Sequence, residues 1–209
     1  MRTAYHQALE NTRLDVVRLG ALVSDAIRSA TQALERRDVV LAGRVIAGDD
    51  EIDDMRRRVE AACIQLIWKQ QPVAGELREI AGMLQIVTDL ERIGDYGVDI
   101  AKNAIKLADV PVRPASVEVG RIATLAHQML EDAMRAYRER NAALADSVIE
   151  RDDEVDQLYH QGLGALQAEM QHDPGTVPAG TLLLFVISSI ERVGDRAQNI
   201  AWHTKDMLA

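Results

Sequence analysis

The chain has 209 residues, a net charge of −9 and a pI of about 5.1, so a nucleic-acid phosphate backbone repels it and is excluded as a partner. Only 3% of the residues are aromatic while Ala, Leu, Ile and Val dominate, a composition of packed helices rather than sheets. The single cysteine, Cys63, rules out an internal disulfide and fits a reducing cytosol; within Ala61-Ala62-Cys63-Ile64 it reads as a small core residue.

Residues 1–6 carry no hydrophobic signal region, and the longest apolar runs, such as 182–187, are too short to span a bilayer. Direct membrane insertion is therefore not expected. Apolar residues recur at three and four positions along nearly the whole chain and predict six helices, at 3–37, 39–69, 73–108, 116–139, 142–171 and 178–207. Asp38 and Asn141 stand at matching places as N-caps of the second helix of each half. Pro72 and Gly75 separate helices two and three, and Asp173-Pro174-Gly175-Thr176-Val177-Pro178 separates five and six. Pro111 and Pro114 mark a linker at 110–115 between residues 1–109 and 116–209. Such short connections make neighbours antiparallel. The fold class expected is all-α, two repeated antiparallel three-helix bundles of spectrin-repeat type.

The halves also repeat in their chemistry. Glu91-Arg92-Ile93-Gly94-Asp95 recurs 100 positions later as Glu191-Arg192-Val193-Gly194-Asp195. Upstream, Asp49-Asp50-Glu51-Ile52-Asp53 recurs 103 positions later as Asp152-Asp153-Glu154-Val155-Asp156. A repeat of this length sets the architecture. At about 100° per residue, Leu84, Val98 and Ile80 fall within about 20° of Glu91, and Asp95 within about 40°. Asp49 and Asp53 share the apolar side of helix two in the same way, whereas Asp50 and Asp54 rotate outward.

Two inward acidic pairs can thus face each other in each half. Desolvated like charges need an offsetting cation or basic partner. Arg92 and Arg192 lie about 100° from the glutamates and are poorly placed to supply one. The metal ligands expected are Asp49, Asp53, Glu91 and Asp95 in one half, and Asp152, Asp156, Glu191 and Asp195 in the other. Asp99 and Asn199 are secondary members. Oxygen donors without thiolates suit Mg²⁺, Ca²⁺ or Mn²⁺, and clustered carboxylates also suit iron or zinc. The plainer alternative is a shallow groove whose edge carboxylates pair with arginines.

Together with Val45-Ile46-x-x-Asp49-x-x-Ile52-Asp53 and Gln71-Pro72-Val73-Ala74-Gly75-Glu76-Leu77-Arg78, these motifs resemble the PhoU family of phosphate-signalling proteins over essentially the whole chain. The resemblance implies paired three-helix bundles in the cytoplasm, peripheral to the inner face of the membrane through partners. It also implies metal ions or clusters (iron, zinc, magnesium or manganese) at the acidic motifs. The function implied is negative regulation of the phosphate response, as an adaptor between the ATPase subunit of the phosphate ABC transporter and a sensor histidine kinase. Glu76 stands where the family pattern has Asp, the second half lacks the Gln-Pro segment, and Asn199 replaces the acid at Asp99, leaving the second site one ligand fewer.

No catalytic residue is expected. A ferritin-like di-iron enzyme needs Glu-x-x-His on two helices, and the sequence offers only Glu169-x-x-His172. A metal-independent adaptor is the other alternative. Helices one and four carry apolar residues on opposite sides (Val17 and Leu19 are about 200° apart), which leads to the expectation of a homodimer.

Overall fold

The computed structural model describes residues 2–70, 72–110 and 118–209. Six α-helices account for nearly all of them: α1 (Arg2–Arg36), α2 (Val39–Gln70), α3 (Ala74–Ala108), α4 (Val119–Glu139), α5 (Ala142–His172) and α6 (Val177–Leu208). A 3₁₀ turn, Pro174–Thr176, bridges α5 and α6. The linker expected at 110–115, with Pro111 and Pro114, and the start of helix four at 116 fall mostly outside the described residues, as does Gln71.

The duplicated turn between the first two helices of each half is built the same way twice. Arg37 and Arg140 adopt left-handed backbone, with φ of 54° and 52°. The next residue closes the helix behind it, through Asp38 N–H to the Ala33 carbonyl and Asn141 N–H to the Ala136 carbonyl, both 2.9 Å. It then opens the helix ahead. Asp38 Oδ1 accepts from Leu41 N–H at 2.9 Å, and Asn141 Oδ1 from Leu144 N–H at 3.0 Å. One pair of residues thus reverses the chain.

Within each half the three helices pack on one another. The halves then join through α3 against α6 and α1 against α4, leaving α2 and α5 on the outside. A single hydrophobic core runs through both, with Ile80, Ile86 and Ile93 of α3 and Ile187, Val193 and Ile200 of α6 fully buried. Polar ties cross the join. Buried Glu79 of α3, which also takes a bidentate pair from Arg13 of its own half with one bond of 2.6 Å, reaches across to Arg140 of the α4–α5 turn at 3.1 Å. Buried Asp89 of α3 takes Arg196 and His203 of α6, both at 3.2 Å. Ser24 Oγ and His127 Nε2 meet at 2.9 Å between α1 and α4.

Two expectations change here. The apolar sides of α1 and α4 are largely covered within the chain: Leu19, Val23, Ile27, Met129 and Leu130 are buried and Val17, Leu22, Leu34, Leu125 and Met134 half-buried, because each helix has a neighbour in the other half as well as its own. Leu14 of α1, at 47% exposed, is the large apolar side chain of these two helices that stays in solvent. In addition, α6 is long and apolar enough by composition to cross a bilayer, with a mean hydropathy of 1.4 over its most apolar stretch. Half of that stretch is buried inside the bundle, as in the core helix of a globular protein.

Candidate metal centres

The acidic motifs lie where the outer helix of each half packs closely against its inner neighbour. Glycine makes that approach possible. A Cβ built at Gly94 would sit 3.2 Å from two carbons of Ile52 and 3.8 Å from Asp49 Oδ1. At Gly194 it would sit 3.3 Å from Val155 Cγ1 and 3.5 Å from Asp152 Oδ1. With no side chain there, α2 lays its acids on those of α3, and α5 lays its acids on those of α6. Asp50 and Asp54 face solvent, as the helical phase predicts.

In the second half, carboxylate oxygens of Asp156, Glu191 and Asp195 all lie within 4.8 Å of one another. A hard cation with oxygen ligands at about 2.0–2.6 Å places opposed ligands roughly 4–5 Å apart, so this donor set fits one. Asp152 lies beside them, only 8% exposed, and its buried Oδ1 has no hydrogen-bond partner. Burial pushes the Asp152 carboxyl up to about 6, helped by the charges of Asp195 and Asp156. Burial also pushes Glu191 up to about 7, with Asp195 and Asp156 adding to it. Burial raises Asp195 too, with the charge of Asp156 adding to it and those of Arg196 and Arg192 opposing it. None of these four acids makes an ion pair among the described residues; Arg192 and Arg196 act on Glu191 and Asp195 only from a distance.

The first half brings the same four positions together but dresses them differently. Burial raises Asp49, then the charges of Asp95 and Asp53; burial and Asp95 raise Glu91. Yet Arg57 Nη1 reaches Asp53 at 3.2 Å, and Arg92 reaches Asp95 at 3.3 Å and Glu91 at 3.6 Å. Arg92 therefore supplies charge where its helical phase argued against it, because a long side chain curls back along the helix surface. Glu91 and Asp95 keep 21% and 44% of their side-chain surface exposed. They stand at the lip of a groove rather than in the centre of the stripe. Arg192 does not copy Arg92; it lies over the Tyr96 ring, 5.9 Å from its centroid.

The secondary positions separate. Asp99 is exposed and lines a cavity at the α3–α6 seam, while Asn199 is half-buried one turn beyond Asp195. The tight carboxylate triad forms in the half that has Asn199, against the expectation that this half holds a ligand fewer. Sequence reasoning also missed Asp89, Arg196 and His203. Their signal was a break in the repeat: 100 positions apart, Asp89 matches Ser189, Tyr96 matches Arg196 and Asn103 matches His203.

A family profile described as the PhoU domain matches residues 16–104 and again 119–203. The chain belongs to the PhoU family. It is 40% identical over 184 residues to the phosphate-specific transport system accessory protein PhoU homolog of Aquifex aeolicus, covering 88% of this chain and 83% of that protein. Identity to the homolog from Clostridium acetobutylicum is 37%, over 97% of this chain and 93% of that one. The crystal structure of PhoU from Pseudomonas aeruginosa superposes with a TM-score of 0.95 at 33% identity, covering 97% of this chain and 98% of that one. PhoU from Streptococcus pneumoniae gives 0.91 at 26% identity, over 97% and 96%.

Proposed function

We propose that this chain is a negative regulator of phosphate uptake and of the phosphate-starvation response. In this reading it is a non-enzymatic adaptor between the ATPase subunit of the phosphate ABC transporter and a sensor histidine kinase. It works in the cytoplasm, held at the inner face of the membrane by those partners. Membership of a family whose relatives are named as phosphate-transport accessory proteins supports the first part. The observation that carries the rest is the pair of acidic grooves, each exposed along one edge and each complementary in charge to a basic or cation-bridged segment of another protein.

Each groove would hold a divalent cation or a small metal cluster: Asp49, Asp53, Glu91 and Asp95 in one, Asp152, Asp156, Glu191 and Asp195 in the other. Bound there, the metal supplies positive charge that offsets the desolvated carboxylates; iron, zinc, magnesium and manganese all accept this donor set. The chain's own residues bring α2 close to α3 and α5 close to α6 at the glycines, and in the second half they gather oxygens of Asp156, Glu191 and Asp195 within 4.8 Å. A di-iron enzyme is disfavoured by position. Glu169 is 13 residues beyond Asp156 on the same helix, about 20 Å along its axis, and His172 ends that helix. A metal-independent adaptor draws support from the first half alone, where Arg57 and Arg92 already offset part of the charge.

Two measurements test this reading. Mg²⁺ or Mn²⁺ is expected to raise the melting temperature, since only the folded chain assembles the ligands, and Glu91→Gln with Glu191→Gln to remove most of that rise. Co-purification from cells grown at high and low phosphate is expected to recover the transporter ATPase with the wild type and not with that variant. An undiminished shift in the variant rejects the ligands. Normal phosphate repression by a folded, metal-free variant rejects the grooves as the regulatory element.

A further inference from the structure

A polar cavity of about 560 Å³ opens at the α3–α6 seam, beside the first carboxylate groove. Four cations line it: Arg92 and Lys102 from α3, Arg192 and Arg196 from α6. Three of them keep donors unspent. Neither Lys102 nor Arg192 makes a close ion pair among the described residues: Lys102 acts on Asp49 and Arg192 on Glu191 and Asp195 only from a distance, and Arg192 lies over the Tyr96 ring. Arg196 gives one nitrogen to Asp89 at 3.2 Å, but its Nε is buried and donates to nothing.

Guanidinium forks and an ammonium around one polar space match the several acceptor oxygens of a tetrahedral dianion, which can take bidentate bonds from each fork. A carboxylate ligand would use fewer of these donors. Asp49, Asp95 and Asp99 also line the cavity and oppose an anion. Two of those three belong to the first carboxylate groove, so a cation held there removes most of the opposition. The half-site duplication does not produce this cavity. Tyr96 and Arg196 occupy equivalent positions, 100 residues apart, and Lys102 matches Trp202, so the donors gather on one side of the seam only.

We propose that this cavity binds a phosphoryl group, as free inorganic phosphate or as part of a nucleotide, and that a divalent cation at Asp49 and Asp95 tightens it. The coupling rests on the metal reading above; the anion site itself stands on the cavity's own donors. Arg192 and Lys102 contact the phosphoryl oxygens, Arg196 adds its charge from the α6 wall, and the Tyr96 ring lies under the Arg192 guanidinium.

Equilibrium dialysis of labelled inorganic phosphate, and separately of labelled ATP, against the full chain tests this with and without Mg²⁺. The comparison is Lys102→Gln with Arg192→Gln, two exposed positions whose change leaves the Asp89–Arg196 tie intact, checked for helicity and melting temperature. Wild type in Mg²⁺ is expected to retain at least one of the two probes, with retention falling at least tenfold in the variant and on chelation. Which probe is held tells the free anion from the nucleotide. Equal retention by wild type and variant, or no retention of either probe by wild type, overturns the site. Retention lost in the variant but indifferent to chelator keeps the anion site and removes its cation coupling, a result calorimetry with Mg²⁺ alone then assigns to the carboxylates.

Discussion

Arg37 and Arg140 hold left-handed backbone without being glycine, which costs about 1–2 kcal/mol each for an ordinary side chain. The two differ in what they return. Arg37 is exposed and has no ion pair among the described residues, whereas Arg140 reaches buried Glu79 at 3.1 Å. Replacing Arg37 with glycine is therefore expected to stabilise the fold by about 0.5–1 kcal/mol, the relief of strain less the entropy of glycine. Arg140→Gly is expected to give no gain, since it strips a charged partner from Glu79. Equal effects in thermal unfolding would contradict this. Cys63 makes a second contrast at this scale. Burial pushes its thiol up to about 12, so it stays neutral and enclosed at pH 8. Labelling by a thiol reagent at that pH should track global unfolding through a denaturant series, and rapid labelling of the folded chain would refute it.

Among the elements, α2 and α5 share a motif but not a charge environment. Where the first half has Arg56, Arg57 and Lys102, the second has Tyr159, His160 and Trp202. The second groove thus holds no ion-paired carboxylate among the described residues, and divalent cation is expected to fill it first, about tenfold tighter or ~1.4 kcal/mol. Calorimetric titration should show the tighter step vanish in Glu191→Gln and persist in Glu91→Gln; the reverse order would sink the assignment. This difference marks the limit of what the sequence conveyed. Helix bounds, the two caps and the inward turn of Asp49, Glu91, Asp152 and Glu191 follow from spacing, because rotation about a helix axis is fixed by residue number. Where Arg92 curls, that Arg192 lies on Tyr96, and how tightly Asp156 meets Asp195 depend on side-chain rotamers and on the α3–α6 crossing. Neither has a period to read. The surplus apolar face of α1 misled for a related reason: a helix with neighbours on two sides looks, in sequence, like one awaiting another molecule.

For the whole molecule, a homodimer remains a proposal, and the surface available to it has moved. The exposed apolar side chains now concentrate where α2 ends and α3 begins, with Ile64 at 61%, Trp68 at 79%, Val73 at 59% and Leu77 at 45%. Association through this end would be apolar and little affected by salt. Light scattering in the micromolar range is expected to read twice 23.1 kDa, and Trp68→Glu to return it to the monomer mass. A monomer mass for the wild type throughout that range would remove the proposal.

The paired left-handed turns carry a historical consequence. A strained arginine at the same place in both repeats is most simply inherited, so the turn existed before the gene segment doubled. The ancestral subunit, a lone three-helix unit, would have shown water the face of α3 that α6 now covers, and two copies meeting there would have formed a symmetric pair. The seam is then an old intersubunit contact closed into one polypeptide. On this reading Asp89, Arg196, His203 and the lopsided cation cluster, which differ between the two halves, arose after the seam's two sides were free to diverge. Fragments 1–110 and 118–209, produced separately, should still find each other on mixing and recover the helicity of the intact chain; fragments that stay apart would show that fusion preceded the contact.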